Sequence, residues 1–166
     1  QDESALATEV RAYKDADYFF TEPGRIFSYS NPSYNIAGYI IQELTGKRYA
    51  DAMDERLFKP LGMTHTTYRP NVAMTFPLSQ GHDAAGTAKP TVVRPFVNNV
   101  GDWPPGFAYT NVADLARFVV AFMNGGRIDG KQVLSPSLIA TLSAPYVDVP
   151  FSWDVPPGFF EGVGGK

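Results

Sequence analysis

The sequence predicts a mainly α-helical fold with long loops. Two stretches, residues 32–45 and 111–124, carry apolar side chains at helical spacing, whereas no stretch shows the sustained alternation of a half-buried strand. The 166 residues include 15 glycines and 14 prolines, so many of them must form turns. A chain of this length suffices for one domain with a hydrophobic core and is short for two.

The first two predicted helices cover residues 4–14, with Ser4 as cap, and residues 31–46. In the second, Asn31 stands at the expected N-cap position, Pro32 follows at the first helical position, and Gly46 ends the helix. Its apolar stripe consists of Ile36, Ala37, Ile40, Ile41 and Leu44.

Three more helices are predicted further along the chain. Residues 49–58 form an amphipathic helix that Pro60 and Gly62 should stop, and residues 135–144 form a short one. The clearest helix signal covers 111–124, where Asn111 and Asp114 resemble a capping box. Its apolar residues are Val112, Leu115, Ala116, Val119, Val120 and Met123. Residues 64–110 have no sustained period, and we expect a long loop there, which is often functional.

Composition and charge exclude several classes of function. The chain has no cysteine, which excludes disulfides, iron–sulfur clusters and a cysteine nucleophile. Its net charge is -3 and its basic residues are scattered singly, so we expect no nucleic-acid partner. Its apolar stretches fall far short of the roughly 20 residues needed to span a bilayer.

A series of short motifs gives the sequence a specific resemblance. They are the Pro23-Gly24 turn, Tyr29-Ser30-Asn31, the helix end at Thr45-Gly46, Pro60-Leu61-Gly62-Met63, and the helix preceded by residues 106–110. In this order they resemble the family of class C β-lactamases, β-lactamase-fold serine esterases and D-alanyl-D-alanine carboxypeptidases. The similarity covers roughly residues 22–140 and implies the helical portion of an α+β, penicillin-binding-protein-like serine hydrolase fold.

The resemblance makes Tyr29 and Asn31 candidate catalytic residues. The tyrosine hydroxyl suits proton transfer between nucleophile and leaving group, and the asparagine amide can hold a lysine and a substrate carbonyl. The alternatives are a buried tyrosine with a satisfied hydroxyl and a simple helix cap. A second Tyr-x-Asn occurs at residues 109–111, where Asn111 is explained as a cap.

The sequence departs from the family pattern at both ends. No serine is followed three residues later by lysine, and neither histidine nor lysine begins a Lys/His-x-Gly motif. The resemblance therefore implies that residues 1–166 form one partial domain, which is inactive alone. We also expect an exposed apolar face, through which the chain can self-associate, because strongly striped helices need a partner layer.

Other candidate residues lie in loops and on one helix face. By resemblance, Trp103 and Phe107 flank a rigid loop at the active-site rim and are expected to contact substrate; ordinary loop packing is the alternative. His65 and His82 lack ligand spacing and are expected to be solvated loop residues. The acidic residues 51, 54 and 55 are expected to form a solvated helix face. No metal or organic cofactor is implied.

These observations lead to one functional hypothesis and one alternative. The parent protein is expected to be a serine hydrolase that forms an acyl-enzyme with a small-molecule β-lactam, ester or D-amino-acid peptide. The alternative is a non-catalytic module of the same ancestry that binds a peptide or a protein partner. The resemblance alone suggests a periplasmic or secreted protein.

Overall fold

The secondary structure is mainly helical. The computed structural model describes residues 2–13, 22, 28–83, 89–94 and 98–145. The longer helices are α1 (Ala5–Ala12), α2 (Asn31–Thr45), α6 (Val112–Met123) and α7 (Pro136–Ser143), with α3 (Tyr49–Met53), α4 (Lys59–Leu61) and α5 (Pro70–Ala73) between them. The predicted helices are thus confirmed with small shifts of their ends. Lys14, the Pro23-Gly24 turn and residues 146–166 lie outside the described residues.

Two short hairpins are the sheets of the described residues. Strand β1 (His82–Asp83) pairs antiparallel with β2 (Thr91–Val92), and β3 (Arg127–Ile128) pairs antiparallel with β4 (Lys131–Gln132). The first hairpin, helix α5 and a 3-10 turn at Val100–Asp102 all fall within residues 64–110. The long loop expected over those residues therefore contains short elements, which leave no sustained sequence period.

The helix after Tyr49 does not stop before Pro60. It continues from α3 through a π-helical segment, Asp54–Phe58, into α4, where Pro60 occupies the first turn. The amide of Lys59 donates to the carbonyl of Asp54, an i→i+5 bond that widens this part of the helix. Proline has no N–H to donate to the preceding turn, so the regular i→i−4 ladder is interrupted at Pro60. The helix ends at Gly62, whose φ of 70° is left-handed.

An aromatic cluster forms the centre of the core. The Tyr68 ring lies 5.1 Å from Tyr49, 5.9 Å from Phe58 and 6.0 Å from Trp103, measured between ring centroids. Leu6 from α1 is buried with these rings. The core therefore joins α1, the helix over residues 49–61 and the loops that carry Tyr68 and Trp103.

Helix α2 turns its apolar stripe away from this core. Ile36, Ile40 and Leu44 are exposed, whereas Asn35 and Gly38 are buried on the opposite side. The fully buried residues of α2 are thus polar or small, and Tyr39 and Ile41 are partly buried against the core beside them.

Helix α6 has the same inverted arrangement. All six residues of its predicted apolar stripe are exposed, while Asp114 and Ala121 are buried and Phe118 packs against the core. The predicted exposed apolar surface is therefore present, and two helices contribute to it.

Candidate functional site

Tyr29 and Asn31 flank the N-terminal cap of α2. The cap is Ser30, whose backbone is extended (φ -146°, ψ 106°) and whose Oγ accepts from the amide of Ser33 at 3.3 Å. The expectation that Asn31 caps this helix was therefore wrong: Asn31 is the first helical residue. Ser33 Oγ also donates to Ser30 Oγ at 2.9 Å, so two hydroxyls support the cap.

Both candidate catalytic side chains face solvent. Tyr29 is 71% exposed and Asn31 is also exposed, so neither is sealed in the core. Neither side chain forms a hydrogen bond within the described residues. Because Ser30 takes the capping position, the Asn31 amide is not used by its own helix and keeps its donors and acceptor for other groups.

A buried polar cluster forms hydrogen bonds with α2 one turn after Asn31. The Asn35 side chain is 1% exposed, and its Nδ2 donates to Asp102 Oδ1 at 2.9 Å, to Glu9 Oε1 at 3.3 Å and to the Tyr13 hydroxyl at 3.2 Å. The Tyr13 hydroxyl donates to Glu9 Oε1 at 2.8 Å. Burial, the largest cause, raises the pKa of Tyr13, which keeps the phenol protonated as a donor.

Gly38 brings the loop at residues 102–107 against α2. A Cβ at this position would overlap the Pro104 ring, so only glycine permits the contact. Trp103, immediately before Pro104, is 1% exposed, and its indole N–H donates to Asn98 Oδ1 at 3.0 Å. Trp103 therefore serves as a core anchor of this loop in the described structure, which matches the packing alternative rather than a substrate contact.

Phe107 has an unusual backbone conformation in the same loop. Its φ is 60°, in the left-handed region, and its ring is half-buried against the core. A bulky residue in this region costs on the order of 1–2 kcal/mol and persists only where its surroundings enforce it. The backbone bonds between Thr67 and Tyr109, at 2.9 and 2.8 Å, anchor the chain just beyond Phe107.

The second Tyr-x-Asn motif has a structural role at Asn111. Asn111 caps α6 by accepting from the amide of Asp114 at 2.8 Å. The Asp114 carboxylate is buried and accepts from the amide of His65 at 2.7 Å and from Thr66 Oγ1 at 2.8 Å. Asp114 thus ties the loop after Met63 to α6, in addition to its place in the cap.

The remaining candidates have ordinary environments. The exposed His65 ring lies 4.4 Å from the Phe76 ring, and His82 Nδ1 lies 2.9 Å from the carbonyl oxygen of Gln80. Within the described ranges, no three acidic, histidine or cysteine side chains are grouped to hold a metal ion. The acidic residues 51, 54 and 55 pair with Arg69, Lys59 and Lys47 respectively.

Comparison with known proteins decides the family. The Beta-lactamase family model matches residues 3–164. The chain belongs to the beta-lactamase family. Over 108 residues, or 65% of its length, it is 32% identical to Protein flp from Staphylococcus aureus strain MRSA252. The family's members are hydrolases with a shared fold, and the mainly helical structure corresponds to the helical portion of that fold.

Two solved structures extend the beta-lactamase-family comparison. The octameric penicillin-binding protein homologue from Pyrococcus abyssi has a TM-score of 0.75 at 20% identity, over 92% of this chain and 33% of that one. The D-amino acid amidase from Ochrobactrum anthropi SV3, complexed with L-phenylalanine amide, has a TM-score of 0.57 at 28% identity, over 72% of this chain and 33% of that one. The matched region is 21% of the length of the flp relative.

Two features of the candidate site were not predicted from the sequence. Ser30 competes with Asn31 for the cap, and both are good capping residues, so the pattern alone favoured the residue before Pro32. Asn35 follows Asn31 by one turn, and a polar residue beside an apolar stripe suggests a solvated face. In the structure Asn35 is buried because α2 packs against the elements that carry Glu9 and Asp102.

Proposed function

We propose that this chain supplies the second catalytic motif of a serine hydrolase acting on an amide or ester by acyl-enzyme formation. Tyr29 and Asn31 are the catalytic residues of the proposal, within a single partial domain over residues 1–166. The nucleophilic serine and its lysine belong to sequence other than these 166 residues, which contain no Ser-x-x-Lys. The observation that carries the proposal is the exposure of Tyr29 and Asn31 on either side of an extended capping serine.

The proposed chemistry has two steps, acylation of the serine and hydrolysis of the acyl-enzyme. The serine Oγ bonds to the substrate carbonyl carbon, the C–N or C–O bond breaks, and the serine proton passes through the Tyr29 hydroxyl to the leaving nitrogen or oxygen. Water then cleaves the acyl-serine ester, which releases the acid and returns a proton to the serine. The Asn31 amide orients the lysine through its oxygen and the substrate carbonyl through its NH₂.

Phe107 is the proposed substrate contact of this chain. The Gly38–Pro104 contact holds its loop against α2 seven residues from Asn31, about 10 Å along the helix axis. The aromatic ring of Phe107, three residues after Pro104 in this loop, suits an apolar substituent of the substrate. Trp103 has no part in the proposed site because it is buried. The similarity to a D-amino acid amidase supports an amide among the possible substrates.

The test uses the full-length protein encoded by the gene that contains this sequence. It should hydrolyse nitrocefin, a p-nitrophenyl ester or D-phenylalanine amide, with a burst that reports an acyl adduct. Tyr29→Phe and Asn31→Ala should each lower kcat by roughly 10²-fold or more, the typical contribution of a positioned acid–base group. Tyr34→Phe is the matched control, because Tyr34 is another exposed tyrosine of the same region.

Two outcomes would contradict this proposal. Unchanged turnover in Tyr29→Phe and Asn31→Ala would remove both residues from the mechanism. Peptide or partner binding by the full-length protein without any acyl adduct would instead support the non-catalytic module. The 166-residue chain alone should hydrolyse none of these substrates, because removing the nucleophile abolishes most of such a rate.

A further inference from the structure

Asn35 is the most deeply buried polar side chain of α2, and its neighbours come from two other elements. Glu9 and Tyr13 belong to α1 and its C-cap, and Asp102 belongs to the 3-10 turn at Val100–Asp102. The amide presents its NH₂ to both carboxylates, and the reverse orientation would bring its carbonyl oxygen against two negative charges. Asn99 Nδ2 donates to the second Asp102 oxygen at 2.6 Å, which fixes that carboxylate in turn.

These directional bonds act together with apolar packing, because Tyr39 and Ile41 of α2 also pack against the core. The rest of the stripe, Ile36, Ile40 and Leu44, contributes less, since all three side chains are exposed. On the inward side, Gly38 allows close approach but has no side chain to resist rotation. The hydrogen bonds of Asn35 therefore add a buried, directional restraint on rotation of the helix about its own axis, in addition to the exposed bond from Arg11 Nε to the Tyr39 hydroxyl.

Asn35 and Asn31 lie one turn apart and so project from the same side of α2. A rotation that breaks the bonds of Asn35 swings Asn31 through the same angle. We propose that Asn35 is a positioning residue that sets the direction of the Asn31 amide through its bonds to Glu9 and Asp102. The catalytic consequence rests on the function proposed above, whereas the positioning itself does not.

The structural test is a crystal structure of the full-length protein carrying Asn35→Ala. This change leaves two carboxylates facing each other without their shared donor, so α2 should rotate to bring water to them. We expect the Asn31 side chain to move by more than about 1 Å, a displacement large enough to lower turnover strongly. An Asn31 position identical to that of the unaltered protein would overturn the proposal.

The matched control for lost stability is Asp114→Asn. It replaces the charged acceptor of the buried bonds to His65 and Thr66 with a neutral amide, while leaving α2 and its neighbours intact. Asn35→Ala should lower kcat by roughly 10²-fold with little change in KM, and Asp114→Asn should lower the thermal midpoint without that loss of kcat. Equal kcat losses in the two variants would show that Asn35 acts only through stability.

Asn35→Asp adds a readout that a purely steric role would not produce. The introduced carboxyl faces Glu9 and Tyr13 from the first helix and Asp102 from the 3-10 turn, and the two carboxylates raise its pKa. When protonated it donates a hydrogen bond, as the amide does. The ratio of its kcat to that of the unaltered protein should therefore rise as pH falls, and a flat ratio would overturn the proposal.

The arms of this experiment separate the two proposals. If Tyr29→Phe and Asn31→Ala leave kcat unchanged, the proposed function fails, and the crystal structure of Asn35→Ala still decides whether Asn35 positions Asn31. If those two variants are impaired while Asn35→Ala keeps full turnover, the function stands and the positioning role fails.

Discussion

At the residue scale, the buried tyrosine pair of the core makes stability sensitive to alkaline pH. The Tyr49 and Tyr68 hydroxyls lie 3.3 Å apart, and burial is the main cause that raises the pKa of both residues above 10.0. The unfolded chain releases these protons near pH 10, while the folded protein retains them. Stability is therefore fully present below pH 10 and falls above it, by up to about 1.4 kcal/mol per pH unit for each tyrosine.

Tyr49→Phe tests this linkage because phenylalanine cannot ionise. Between pH 10 and 11.5 the urea midpoint should fall less steeply in this variant than in the unaltered chain. At pH 7 the change should cost about 1–3 kcal/mol, because the buried Tyr68 hydroxyl loses this partner. Tyr34→Phe, at an exposed ring, is the control. Identical pH slopes in Tyr49→Phe and the unaltered chain would refute the explanation.

At the element scale, the closeness of α2 to the loop at residues 102–107 depends on Gly38. Gly38→Ala gains roughly 1 kcal/mol of helix propensity, but its methyl group overlaps the Pro104 ring. Overpacking of this kind costs about 1–3 kcal/mol, so we expect a net loss in the free energy of unfolding. Gly106→Ala is the control, since a Cβ at Gly106 meets open space. A stabilised Gly38→Ala variant would show that the loop yields easily.

The helices also show what the sequence could and could not reveal. Periodicity located α2 and α6 correctly because a long apolar stripe is incompatible with other structures, and Gly46 ends α2 in the left-handed conformation expected of it. Periodicity could not decide between Ser30 and Asn31 as the cap, because both side chains can accept the same type of bond. The π-helical segment before Pro60 also leaves no periodic signal.

The candidate site was predictable only in part for a related reason. Motif order identified Tyr29 and Asn31, since a local motif survives in the sequence. The buried Asn35 side chain bonds instead to Glu9 and Asp102, which are distant from it in sequence. The Trp103 indole bonds to Asn98. Pairings of this kind arise from tertiary packing, and a single sequence carries no record of them.

At the scale of the whole molecule, the unusual feature is that the apolar stripes of α2 and α6 face outward. Leu44 is 81% exposed and Met123 is 78% exposed, whereas the polar residues Asn35 and Asp114 are buried on the inward sides of the two helices. None of the helices in the described residues is both long and apolar enough to cross a membrane. Exposed apolar patches beyond a few hundred Å² normally mark interaction surfaces.

The two stripes should make the 166-residue chain associate in solution. Sedimentation velocity over a concentration series should show a rising weight-average mass, and Leu44→Lys with Met123→Lys should shift it towards the monomer. Because both side chains are already exposed, the free energy of unfolding of the monomer should change by less than about 0.5 kcal/mol. Ser79→Lys with Gln80→Lys adds the same charge on an exposed loop, and it should leave the association unchanged. If the unaltered chain stays monomeric at every concentration, the stripes do not cause association. If both double variants reduce association equally, net charge rather than the stripes accounts for the change.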